Sequence, residues 1–117
     1  MTTPKPSTLC EPGAVVLIRF HFTSQTAVKR RPAVILTDDA YHASRADAIM
    51  IPLSSRGGGY YGDTLLNDWQ SAGLNVQTTA KGVVQTIERA AVEKRIGTLS
   101  IDDFDSVKAN VKTILGL

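Results

Sequence analysis

Apolar positions fall first into short, nearly unbroken runs and finally into one helical stripe. Gly13 opens Ala14-Val15-Val16-Leu17-Ile18-Arg19-Phe20-His21-Phe22, a β-branched and aromatic run whose far end alternates apolar with polar. This pattern predicts a first strand. Ala33-Val34-Ile35-Leu36 predicts a second, entered through Lys29-Arg30-Arg31-Pro32. Ala48-Ile49-Met50-Ile51-Pro52-Leu53 predicts a third, and its Pro52 marks an edge or a departure from the ladder. Further short strands are expected at 63–66, 82–89 and 92–96, with a turn over 68–74. Between the second and third strands, Thr37, Asp38 and Asp39 suit the start of a single helical turn. Ser54-Ser55-Arg56-Gly57-Gly58-Gly59-Tyr60-Tyr61-Gly62 must be a loop, because three consecutive glycines stabilise neither helix nor strand.

The last segment changes period. Ile101, Phe104, Val107, Val111, Ile114 and Leu115 recur at spacings of three and four, which puts them on one face of a helix. Ser100 and Asp103 have the spacing of a capping box, Asp102, Asp103 and Asp105 complement the positive end of the helix dipole, and Gly116 is placed as a C-cap. Short strands at close spacing with no helix between them predict a mainly β protein, a small antiparallel barrel with a C-terminal helix. Residues 1–12, polar and carrying Pro4, Pro6 and Pro12, read as a flexible arm ahead of one domain over 13–117.

Composition narrows the class. With 117 residues, 43% hydrophobic and 21% charged, the chain suits one globular domain able to bury a core. No apolar stretch is long enough to span a bilayer and no signal-type segment opens the chain, so the expected compartment is the cytoplasm, with no membrane partner. Cys10 is the sole cysteine and His21 and His42 the sole histidines, which leaves no metal-ligand spacing and no expected cofactor. The net charge is +2, but from residue 100 onward there are two lysines and three aspartates. Any basic surface therefore lies outside the C-terminal helix.

Taken alone, Lys29-Arg30-Arg31 reads first as solvated surface. Pro32, however, fixes its own φ and biases Arg31 toward an extended backbone, so that a planar guanidinium suited to two phosphate oxygens is held against a strand.

The ordered set Pro12-Gly13 with an apolar strand, Lys29-Arg30-Arg31-Pro32-Ala33-Val34-Ile35-Leu36, Ile51-Pro52-Leu53-Ser54-Ser55, Trp69-Gln70-Ser71-Ala72-Gly73-Leu74, Ile87-Glu88-Arg89 and Ile96-Gly97-Thr98-Leu99-Ser100 before a terminal helix resembles the MazF/PemK toxin endoribonucleases. The resemblance runs over about residues 12–117. It implies an SH3-like barrel, a homodimer, metal-independent cleavage of single-stranded RNA, and a cognate acidic antitoxin. It also implies that Arg31 and Ser54 are the catalytic pair, Arg31 clamping the phosphate and the Ser54 hydroxyl donating to a non-bridging oxygen. For Ser54 the competing explanation is a strand-end serine bonded to its own backbone.

Around that pair, Lys29, Arg30, Arg56 and Arg89 are expected to contact RNA phosphates, and Tyr60 and Tyr61 to stack on bases. Glu88 and His21 are auxiliary candidates, His21 because its ordinary pKa suits a base. A cross-strand pair explains Glu88 and Arg89 equally well, and Trp69 reads as core. The chain departs from the family pattern at Ala14 and in 24–28, which affects recognition rather than Arg31 or Ser54. Two other readings share the fold: a toxin that poisons a protein target, as CcdB-type gyrase inhibitors do, and an RNA-binding module without catalysis.

Overall fold

The computed structural model describes residues 9–21 and 28–117, with side chains for 9–19 and 29–117. Among the described residues, seven strands and two helices follow in chain order: β1 (Ala14–His21), β2 (Val28–Ile35), α1 (Asp39–Ser44), β3 (Asp47–Ser54), β4 (Thr64–Leu65), β5 (Thr79–Ala80), β6 (Gln85–Glu88), a 3-10 turn (Arg89–Ala91), β7 (Val92–Thr98) and α2 (Ile101–Leu115). All pairings are antiparallel.

The apolar runs are nearly continuous because β1 to β3 are covered on both faces. Val15, Val34, Ile51 and Leu53 belong to one core cluster, which α2 joins through buried Val107. Ala14, Val16, Ala33, Ile35, Ala48 and Met50 belong to the other, closed by Cys10, Val92, Ile87 and Ala91. Cys10, in the segment expected to be an arm, is buried, and Glu11 pairs with Arg95. Residues 1–8 of that arm lie outside the described residues.

The expected SH3-like barrel is not what forms. The hydrogen-bonded path runs β4-β5-β3-β2-β1-β7, with β6 branching from β3, and no ladder joins β7 back to β4 or β6 among the described residues. The sheet is open. Two features account for this. The strand pattern of 82–96 is broken by the 3-10 turn at Arg89–Ala91, so β6 and β7 leave each other instead of forming a hairpin. The far edge of β3 is divided between β6, at 47–50, and β5, at 53–54. β5, only two residues long, carries no periodic signal.

The terminal helix begins and ends where expected. The Ser100 hydroxyl accepts from the Asp103 amide at 3.2 Å, and Gly116 closes the helix at φ 71°. Asp103 does not complete a capping box. Its buried carboxylate accepts from the amides of Asn67 and Asp68 at 3.1 and 2.8 Å, tying α2 to the segment after β4. That segment also presses on β7: a Cβ at Gly97 would stand 2.1 Å from the Ala72 carbonyl oxygen, so only glycine permits the approach.

Candidate functional site

Two prolines shape the site. The β2–β3 ladder contains Ile35↔Met50, Val34↔Ile51 and Ala33↔Pro52, and stops there. Pro32 and Pro52 have no amide hydrogen to continue it. Beyond that point β2 goes on beside β1, with Pro32 opposite Leu17 and Arg31 opposite Ile18, while β3 goes on beside β5. The two strands diverge, and a cleft of about 320 Å³ opens between them.

One wall of the cleft is basic, with Arg30 and Arg31 from β2 and Ser54, Ser55 and Arg56 from the end of β3. The opposite wall comes from the segment tied down by Asp103 and Gly97, and presents Leu74, Asn75, Val76 and Thr78. Leu17, Leu53 and Ile96 also line it. Three arginines and no carboxylate belong to the lining, so the cleft favours an anion.

Arg31 is exposed and has no hydrogen bond or ion pair among the described residues. Its guanidinium is open to a ligand. Ser54 is half-buried, and its hydroxyl donates to the Arg56 carbonyl at 2.9 Å and accepts from the Arg56 amide at 3.1 Å. This is the local turn bond that competes with a ligand contact. Ser55, which a continued strand would send to the opposite face, lines the same cleft because β3 ends at Ser54.

Arg30 is held differently. Its Nε donates to both carboxylate oxygens of Glu93, at 2.7 and 2.8 Å. Arg19, directly opposite Arg30 on β1, has its own Nε 3.9 Å from Glu93. The Arg30 hydrogen bond holds the Glu93 carboxyl below its ordinary pKa, and the charges of Arg30 and Arg19 act in the same direction. Lys29 precedes this pair on β2 and is exposed.

The glycine loop continues from Arg56. Gly57, Gly58 and Gly59 have φ of 73°, 118° and 82°, a left-handed sequence that side chains resist. Asp63 anchors the loop's end by accepting from the Gly82 amide at 2.7 Å and the Tyr60 amide at 3.3 Å. Burial pushes its pKa up, but those amides and Lys81, 3.5 Å away, outweigh it and hold the carboxyl below its ordinary value. Tyr60 and Tyr61 remain exposed at the tip, with the Lys81 ammonium 5.2 Å from the Tyr60 ring.

The remaining sequence candidates stand elsewhere. Glu88 pairs with Asp47 at the opposite end of β3 from Ser54, about 23 Å along the strand. Arg89 beside it donates to the carbonyls of His42 and Arg45, at 3.0 and 2.7 Å, and so fastens the end of α1. His21 ends β1, and its side chain lies outside the described residues. Trp69 packs partly buried against the core. No three His, Cys, Asp or Glu side chains gather into a metal-holding group among the described residues. No helix among them is long and apolar enough to cross a membrane.

The sequence alone did not point to Arg19, Glu93 or the Asn75, Val76 and Thr78 part of the opposite wall. Arg19 was visible only as the polar member of an alternating strand end. Glu93 owes its position to a register shift against β1, which local periodicity does not report.

An open, mainly β sheet with a terminal helix and an arginine-lined cleft defines a small protein whose cleft carries positive charge. The chain matches the family model for PemK-like, MazF-like toxins of type II toxin-antitoxin systems over residues 11–115, and it belongs to that family. No curated protein matches it by sequence. Among solved structures it is similar to MazE-MazF (Form-II) from Deinococcus radiodurans, with 21% identity, TM-score 0.77, and 92% of this chain and 96% of that one covered. It is also similar to an endoribonuclease in complex with its cognate antitoxin from Mycobacterial species, at 15% identity and TM-score 0.73, covering 92% and 95%. A third similar structure is the Mycobacterium tuberculosis toxin MazF-mt6, at 17% and 0.72, covering 89% and 97%. At these identities the likeness is one of fold.

Proposed function

We propose that this toxin-family protein is an endoribonuclease that cleaves single-stranded RNA by transesterification in the arginine-lined cleft. In this reaction the substrate's 2′-oxygen loses its proton and bonds to phosphorus, and the bond to the 5′-oxygen breaks. The leaving oxygen takes up a proton, giving a 2′,3′-cyclic phosphate and a 5′-hydroxyl end. Negative charge accumulates on the non-bridging oxygens as the phosphorane forms, and fixed donors aimed at them lower the barrier. Arg31, with its uncommitted guanidinium, is the clamp in this scheme. Ser54 supplies a second donor by turning its hydroxyl from the Arg56 carbonyl to a phosphate oxygen. Arg56 contributes charge, Tyr60 and Tyr61 stack on bases, and neither the clamp nor the hydroxyl requires a metal ion.

The single observation that carries this reading is the convergence on one cleft of Ser54, two further arginines and Arg31, which has no partner among the described residues, without a carboxylate in the lining. A protein-poisoning toxin has no need of a hydroxyl beside that clamp. The same basic cleft suits an acidic antitoxin segment, which would inhibit by occluding the RNA, and the active form is proposed to be a homodimer.

Cleavage of single-stranded RNA in EDTA tests the scheme. Arg31→Ala should abolish it while the fold is retained, and Arg31→Lys should restore little, since a point charge does not replace a planar fork. Full activity of Arg31→Ala in that buffer would remove the clamp from the mechanism.

A further inference from the structure

Arg19 and Arg30 stand directly opposite each other on neighbouring strands, an arrangement that like charges disfavour. Glu93 is the carboxylate that reaches both. It does so from β7, on the far side of β1, because the β1–β7 register slips between Leu17↔Lys94 and Ile18↔Val92 and leaves Glu93 as the additional residue. Such bulges re-aim a side chain. The carboxylate takes only Nε of Arg30; the two terminal nitrogens have no partner among the described residues. Those nitrogens are the ones that form a two-pronged contact with an oxyanion. The three groups together keep one net positive charge.

We propose that Arg19 and Arg30 form a second phosphate subsite, for the RNA backbone phosphate next to the scissile one, with Glu93 fixing Arg30 by its Nε and moderating the pair's charge. The proposal rests on the RNA-cleaving reading of the cleft. Consecutive side chains leave a strand in opposite directions. Both Arg30 and Arg31 reach the cleft, but from consecutive positions that leave the strand in different directions, so each can engage a different one of two successive phosphates. Glu93 is a positioning residue here. Its exposed ion pairs are weak enough for a phosphate to share the guanidinium.

The test uses a single-stranded RNA carrying 2′-O-methyl groups, which is not cleaved, and follows its binding by fluorescence anisotropy across a salt series. Arg19→Gln and Arg30→Gln should each weaken binding to every sequence alike, because backbone contacts carry no sequence information. Each should also reduce the slope of log affinity against log salt by roughly 0.7, the value of one lost phosphate contact on a single strand. Glu93→Gln should tighten binding by roughly twofold to fivefold, and should lose that gain in an Arg30→Gln background. A merely structural ion-pair network would leave the slope unchanged. Unchanged slopes in both arginine variants, alongside a reduced slope in Arg31→Gln, would overturn the subsite and leave the nuclease reading standing. Weaker binding by a folded Glu93→Gln would overturn the role given to Glu93. Failure of the unaltered protein to bind RNA at all would instead sink the nuclease reading, and the subsite with it.

Discussion

Asp103→Ala should be among the most destabilising single changes outside the apolar core. The carboxylate is buried and accepts from two main-chain amides, Asn67 at 3.1 Å and Asp68 at 2.8 Å. A donor left without its acceptor costs about 1–3 kcal/mol when buried, and the lower end applies because Asn67 and Asp68 are themselves exposed. Loss of a negative charge from the first turn of α2 adds about 0.3–1 kcal/mol. The sum is about 2–3 kcal/mol, which at a urea slope of roughly 1.5 kcal/mol/M moves the unfolding midpoint down by roughly 1–2 M. Asp103→Asn keeps the shape but turns an amide donor toward one of the main-chain donors, so its midpoint should fall between those of Ala and the unaltered protein. Urea titration followed by far-UV circular dichroism reads all three. A shift under about 0.3 M for Asp103→Ala would refute the reasoning, since it would mean that the two amides find equal partners without the carboxylate.

Ser54→Ala should lower the RNA cleavage rate by roughly one to three orders of magnitude. Ser55→Ala should lower it less, although both line the cleft, because only Ser54 belongs to β3 and is fixed by the Arg56 turn; equal losses in single-turnover assays would refute the assignment. Stability should fall as the solution is acidified below about pH 6.5, the ordinary histidine value. Burial, then the Arg89 charge, lower the His42 pKa against the opposing pull of Asp39 and Asp38. The unfolded chain therefore takes up the proton first, and the contribution of neutral His42, complete above that pH, is lost on the way down to its folded pKa. His42→Gln should flatten the dependence of the melting temperature between pH 7.5 and 5.5, and an unchanged slope would exclude His42 as the cause.

The strands β1 to β3 and helix α2 were legible because each is long enough to show a period, and the caps at Ser100 and Gly116 because their chemistry is local. Arg31 and Ser54 were legible as members of one pattern, and the chain brings both to one cleft. What the residues did not disclose depends on pairing between distant segments. Whether a sheet closes is decided by its far edges, and the break at Arg89–Ala91 occupies three residues inside an otherwise strand-like stretch. Ser100 and Asp103 have capping-box spacing, yet the carboxylate turned to Asn67 and Asp68, partners that no local rule names. Arg89 looked like a phosphate ligand by position and is engaged by the carbonyls that end α1.

The divergence of β2 and β3 at Pro32 and Pro52 has a kinetic consequence. The gap between the strands is written into ring chemistry: neither proline can donate to a closing ladder, whatever the side chains around it do. The two strands therefore have no zipped form across the cleft to be pried apart, and the proposed RNA would meet walls already spread. Strand separation should then add no step to RNA capture: in stopped-flow binding the observed rate should grow in proportion to ligand concentration, and a plateau would place a gate in another element.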